Sequence, residues 1–165
     1  MKKKRGAGRP RKIQNTLLID ADILVFRTAI ACEEVVCWDK EEELWTLTAD
    51  MKEAKSRVED EVADLMEVLG GTSVLMCFSD RSTFRHKMYP KYKANRKNRK
   101  PVIFGPLREW VKQTWPWECW PELEADDVMG ILSKSRALAS PKIVVSDDHD
   151  LESVPCHLYQ PMHPE

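Results

Sequence analysis

Acidic side chains recur at the ends of apolar runs in this 165-residue chain. Leu17-Leu18-Ile19 runs into Asp20-Ala21-Asp22, Val74-Leu75-Met76-Cys77-Phe78 into Ser79-Asp80, and Ile143-Val144-Val145 into Ser146-Asp147-Asp148-His149-Asp150. A fourth acidic knot, Glu124-Ala125-Asp126-Asp127, opens an amphipathic segment. Short runs of Val, Ile and Leu read as buried strands of a parallel sheet, whose ligand site lies at the strands' carboxyl ends. Carboxylates gathered there repel one another at low dielectric, and the natural offsetting charge is a hard divalent cation with oxygen ligands. The candidate ligands are Asp20, Asp80, Glu124, Asp126, Asp127, Asp148 and Asp150. Any one strand-end Asp could equally cap the helix that follows, and Glu124 and Asp127 could simply favour a helix N-terminus. Four clusters in matching places argue for a shared site. Glu124 and Asp127 share one helical face, from which Asp126 points away. Asp22 and Asp147 are weaker choices, each one step off its neighbour.

The second chemical signal is cationic. The formal net charge is −1, yet residues 2–12 hold seven basic groups and residues 81–100 hold nine, with no acid in either, so ten basic residues remain against 27 acids elsewhere. Two basic segments on an acidic body suit a polyanion steered to a metal-bearing surface. Tyr89-Pro90-Lys91-Tyr92-Lys93-Ala94-Asn95-Arg96-Lys97 interleaves aromatics with cations, so that Tyr stacks on a base while Lys and Arg hold phosphates. A loop kept soluble by charge explains the cations but not the tyrosines. Residues 1–15 read as a disordered basic tail. Gly8-Arg9-Pro10 within it resembles the core of an AT-hook, although a solvated tail is the plainer reading. His86, His149, His157 and His163 show no ligand spacing, and the tryptophans at 110, 115, 117 and 120 read as core packing.

These groups need elements to position them. The patterns predict strands over 16–20, 73–78 and 142–146, short strands over 117–120 and 156–159, and a hairpin from 35–38 and 44–47. Helices are expected over 22–32, from a Thr48 or Asp50 cap to just before Gly70-Gly71, over 106–115, and from the acidic knot to about Leu138. Ala54, Val58, Val62, Leu65 and Leu69 mark the core face of the long helix. Residues 81–100 show no apolar face. Strands alternating with helices predict a mostly parallel α/β sandwich. The length suits one domain over residues 16–165, and the apolar share of 42% suits a full core. Five cysteines without a CxxC pair read as free thiols in a reducing compartment, with no zinc site. No run spans a bilayer and none follows the basic N-terminus as a signal core, so the expectation is a soluble, cytoplasmic protein without membrane contact.

In order along the chain, Asp20, Phe78-Ser79-Asp80, Phe84-Arg85, Tyr89 to Arg96, Glu124-Ala125-Asp126-Asp127-Val128-Met129-Gly130 and Ser146-Asp147-Asp148-His149-Asp150-Leu151 resemble the N-terminal nuclease domain of the 5′–3′ exonuclease and flap endonuclease family. The resemblance covers roughly residues 16–160 and runs closest to the exonucleases of short-tailed bacteriophages. It implies a PIN-like (Rossmann-like) core with an arch or loop over residues 81–100, DNA as partner, and one or two Mg²⁺ or Mn²⁺ ions. By position, Asp20, Asp80, Glu124, Asp126 and Asp148 would hold the first metal and Asp150 would contribute to the second. Lys93 and Arg96 would touch the scissile phosphate and Tyr92 the terminal base. Arg81, Arg85, Lys91 and Lys97 extend the DNA-binding set. The family continues into a helix–three-turn–helix module with further aspartates that this sequence lacks. The expectation is therefore a metal-dependent 5′–3′ nuclease, impaired alone or completed by a separate chain.

Three rivals remain. Asp20-Ala21-Asp22 resembles the nucleophile motif of HAD-type phosphatases, but Leu24 stands where that family has Thr or Val, and residues 81–100 go unexplained. An inactive DNA-binding remnant or subunit of a split nuclease is the second. A PIN-type ribonuclease shares the metal chemistry but not the arch motif.

Overall fold

The computed structural model describes residues 14–94 and 99–163. Five strands, β1 (Thr16–Asp20), β4 (Ser73–Cys77), β5 (Trp117–Glu118), β6 (Lys142–Val145) and β7 (His157–Tyr159), form one sheet in the order β5-β4-β1-β6-β7. Every pairing in it is parallel, so the mostly parallel sheet expected from the sequence is, in the described residues, parallel throughout.

Alternation along the strands divides the core. Leu17, Ile19, Met76, Phe78 and Val145 face a layer built from α1 (Ala21–Ala31), α2 (Met51–Val68) and α4 (Phe104–Thr114). Leu18, Cys77 and Val144 face α5 (Ala125–Ser133) with Val128, Met129 and Leu132. Strands covered on both faces need apolar residues at every position, which is why these runs are unbroken. Leu18 is fully buried. Leu18→Ala is expected to lower the unfolding free energy by about 2–5 kcal/mol, read from urea midpoints.

Asp50 caps α2 by accepting from the backbone N–H of Lys52 and Glu53, which selects it over Thr48. The far end closes at Gly70, whose φ of 60° favours a residue without Cβ. At Gly71 a Cβ would lie 2.9 Å from Leu17. Asn15 already anchors β1: its side-chain amide donates to Leu69 O, and its carbonyl accepts from Thr72 N and Ser73 N. The expected tail thus becomes ordered chain by Asn15, and its residues 1–13 lie outside the described residues.

Two elements differ from the sequence reading. α3 (Phe84–Met88) forms inside the basic segment, closed at its start by a reciprocal capping pair of Thr83 and His86. It has no buried residue, so no apolar periodicity announced it. α5 stops at Ser133, because the amides of Lys134 and Ser135 bond Ile131 and Leu132 three residues back, tightening the last turn. A 3₁₀ turn over His149–Ser153 follows β6. Among the described residues no helix is long and apolar enough to cross a membrane. The five cysteines are free.

The hairpin of β2 (Glu33–Asp39) and β3 (Leu44–Ala49) stands apart from the main sheet. Its base is tied to the end of the basic segment and to the chain just after it. Arg99 donates to both Glu33 oxygens at 2.9 and 2.6 Å, and Val102 N donates to Oε1 at 2.7 Å. The Arg99 hydrogen bonds, then Val102's, hold the Glu33 carboxyl down from its ordinary 4.5 to about 2. A depressed carboxylate stabilises above its ordinary value and loses that contribution as pH falls through the folded one. The stability gap between wild type and Glu33→Gln is therefore expected to be full at neutral pH and to narrow between pH 4.5 and 2, read from urea midpoints.

Candidate metal and phosphate site

The order of the sheet reverses at β1: the chain builds outward through β4 and β5, then crosses to β6 and β7 on the other side. Open parallel sheets form ligand crevices at such a point, beyond the strand ends. Asp20 closes β1 there and is 6% exposed. Its Oδ1 accepts from Ile23 N at 3.1 Å, capping α1. Its Oδ2 accepts from the Ser146 hydroxyl at 3.0 Å, and that hydroxyl accepts from Asp148 N at 3.1 Å. Ser146 thus links the ends of β1 and β6. Burial pushes the Asp20 carboxyl from 3.8 up to about 7; the Ile23 amide opposes this, while the charges of Asp22 and Asp148 add to it.

α5 supplies the second group. Glu124, 7% exposed, is its N-cap and shares a capping box with Asp127, whose Oδ2 accepts from Glu124 N at 3.1 Å. Ser79, just past β4, fixes the helix start by accepting Ala125 N on its hydroxyl at 3.0 Å. Burial, with Asp127 and Glu124 close by, raises the Asp126 carboxyl. Asp127 is held below its usual value: burial works against it, but Arg85 grips both its oxygens and prevails. Asp126, Asp127 and Asp150 come together along one cleft of about 580 Å³, with Arg85 and His149.

Asp80 is engaged differently. It accepts from Arg81 N at 2.7 Å and, across the chain, from Glu122 N at 2.8 Å, and these bonds depress its carboxyl. It lines a neighbouring cleft of about 490 Å³ with Asp22, Arg81, Lys100 and Arg108. Asp22 and Asp147 are engaged by other protein groups. Asp22 accepts from Ser79 N at 2.7 Å and pairs with Arg108, while Asp147 accepts from Arg27 and from Met162 N. Arg108 and Arg27 carried no sequence signal of these roles, because their partners lie 86 and 120 residues away.

Two cations of the basic segment, Lys93 and Arg85, turn inward. Lys93 Nζ donates to both Glu124 oxygens and Tyr92 OH donates to Oε2. Arg85 lies against Asp127, with Glu124 and Asp126 at 3.7 and 3.9 Å. Arg81 and Lys91 are exposed, and Arg96 and Lys97 fall outside the described residues. His86 is not incidental, since it caps α3.

Among the described residues no three His, Cys, Asp or Glu side chains close on one point as a ready cage, since protein donors fill most of these carboxylates. The donor chemistry nevertheless fits a hard divalent ion. The groups are all carboxylates, they lie beyond the carboxyl ends of one parallel sheet, and the neighbouring charges of Asp22 and Asp148 add to the burial that raises Asp20.

The family model for the 5′-3′ exonuclease N-terminal resolvase-like domain matches residues 15–155. The chain belongs to this family. The family match runs through the basic segment that a HAD-type phosphatase leaves unexplained. Solved structures carry the same fold. A bacteriophage T5 protein co-crystallised with metal ions superposes with TM-score 0.65 at 17% identity, covering 92% of this chain and 56% of that one. The T5 5′-exonuclease with zinc bound gives 0.62 at 18%, covering 92% and 57%. A T5 flap endonuclease complex with DNA and metal ions gives 0.60 at 14%, covering 92% and 57%. The chain spans a little over half the length of these 5′–3′ exonuclease relatives. No curated protein matches it.

Proposed function

We propose that this chain is the nuclease core of a divalent-metal-dependent 5′–3′ exonuclease or flap-type endonuclease that hydrolyses DNA phosphodiester bonds in the cytoplasm. The observation that carries the reading is the position of three groups beyond the carboxyl ends of the parallel strands. These are the Asp20–Ser146–Asp148 link, the carboxylates opening α5, and Tyr92 and Lys93 of the basic segment. Membership of the exonuclease family supports it.

Asp20, Glu124, Asp126 and Asp148 would hold a first Mg²⁺ or Mn²⁺, with Asp80 adjoining and Asp127 and Asp150 toward a second. Such ions supply a water acidic enough to attack phosphorus at neutral pH and charge to stabilise the leaving oxygen. The chain's own groups do the rest. Ser146 orients Asp20 by donating to it, and Arg85 orients Asp127. Lys93 and Arg96 meet the phosphate as negative charge develops, and Tyr92 offers its ring to the terminal base. Arg81, Lys100 and Arg108 line the neighbouring cleft, a path for backbone phosphates, and Lys91 and Lys97 add positive charge to the same segment. A helix–three-turn–helix module, in the same polypeptide or on a partner chain, would complete the grip on duplex DNA.

The test is cleavage of a 5′-labelled DNA duplex and of a 5′-flap substrate, with an RNA strand of the same sequence as control. Short 5′-phosphorylated products with Mg²⁺ or Mn²⁺, and none with EDTA, are expected. Cleavage that persists in EDTA, or cleavage of RNA in preference to DNA, would exclude this function.

A further inference from the structure

The contact between the basic segment and α5 raises a conflict that the proposed chemistry must resolve. Lys93 Nζ lies 3.0 and 2.8 Å from the two oxygens of Glu124, and Tyr92 OH lies 3.1 Å from one of them. The Glu124 side chain is 10% exposed and that of Lys93 31%. Lys93 has φ 56°, a conformation uncommon for a residue with a Cβ, and such backbone persists only where its contacts hold it. Tyr92 is steadied in turn by the edge-on His86 ring at 5.4 Å. The contact is therefore built from both ends. It also takes up three of the roughly four acceptor positions of the Glu124 carboxylate, and it holds Lys93 on the protein rather than on substrate. An ammonium and a divalent cation cannot share one carboxylate at this range without strong repulsion.

We infer that Lys93 is a metal-displaced latch: it neutralises Glu124 in the metal-free chain and swings to the substrate phosphate only when Glu124 turns to a divalent cation. The inference rests on reading Glu124 as a metal ligand. It makes cation loading the step that licenses phosphate recognition, so that a metal-free chain keeps its main phosphate-seeking cation sheathed. Arg85 need not move for the first ion, because its short bonds are to Asp127.

Mn²⁺ binding to the full chain, without DNA, tests the latch by calorimetry on wild type, Lys93→Met and Glu124→Gln. Lys93→Met removes the competitor and is expected to bind Mn²⁺ at least about threefold more tightly, the scale of one lost ion pair that is not fully buried. Glu124→Gln is expected to bind more weakly. If Glu124→Gln weakens binding but Lys93→Met leaves it equal or weaker, the latch is wrong and the metal assignment stands. If Glu124→Gln changes nothing, Glu124 is not a ligand and both fail. The wild-type chain gives a second readout that needs no variant. Mn²⁺ should accelerate tryptic cleavage after Lys93, and protection instead would overturn the latch.

Discussion

Replacing Asp148 by alanine is expected to abolish metal-dependent DNA cleavage, a loss of roughly a thousandfold or more. Two roles converge on this residue. Its carboxylate belongs to the group at the end of β6, and its backbone N–H donates to Ser146, which in turn donates to Asp20. Alanine leaves the backbone link intact, so the fold should survive while the ligand is lost. Asp148 also caps the following 3₁₀ turn by accepting from Asp150 N, so a modest stability loss of about 1 kcal/mol is expected alongside. The measurement is single-turnover cleavage of a 5′-labelled duplex together with a urea denaturation curve. A folded variant cutting at the wild-type rate would show that Asp148 is not part of the centre.

Lys93→Ala is expected to slow the cleavage step by about 10²–10³-fold, the cost of removing one preorganised charge from a developing oxyanion, without weakening metal affinity. The second half of that expectation separates the roles open to this residue. Lys93 now sits on Glu124, so a purely structural lysine would disturb the carboxylates and loosen the ion when removed. A phosphate-directed lysine leaves the ion bound and lowers kcat. Turnover and Mn²⁺ affinity, measured on the same preparation, distinguish the two. Reduced metal affinity with unchanged turnover would reassign Lys93 to the protein's own packing.

The parts of this molecule legible from sequence are those decided locally. Leu17–Ile19, Val74–Cys77 and Ile143–Val145 announce parallel strands because burial on both faces demands unbroken apolar runs. Asp20, Glu124 and Asp148 follow from strand ends and helix starts, and each is also the cap that the plainer reading expected. Capping and a metal role are compatible, since a carboxylate has about four acceptor positions and a cap uses one of them. What stayed hidden depends on partners distant in sequence. Asp80 looks from sequence like its strand-end neighbours, but its oxygens are filled by Arg81 N and by Glu122 N, 42 residues on. Arg85 reads as a phosphate contact within a basic run, whereas the short α3, capped by a Thr–His pair, aims it at Asp127. No periodic pattern encodes that turn, because α3 buries nothing.

The central claim is that carboxylates from the ends of β1 and β6 and from the start of α5 share one divalent cation beside Lys93. Anomalous diffraction from crystals of the chain grown with Mn²⁺ addresses it directly. A manganese peak bounded by Asp20, Asp148 and the first turn of α5, with Lys93 withdrawn from Glu124, is the predicted result. Manganese bound elsewhere, or an empty crevice at saturating Mn²⁺ with Lys93 still on Glu124, would contradict the account.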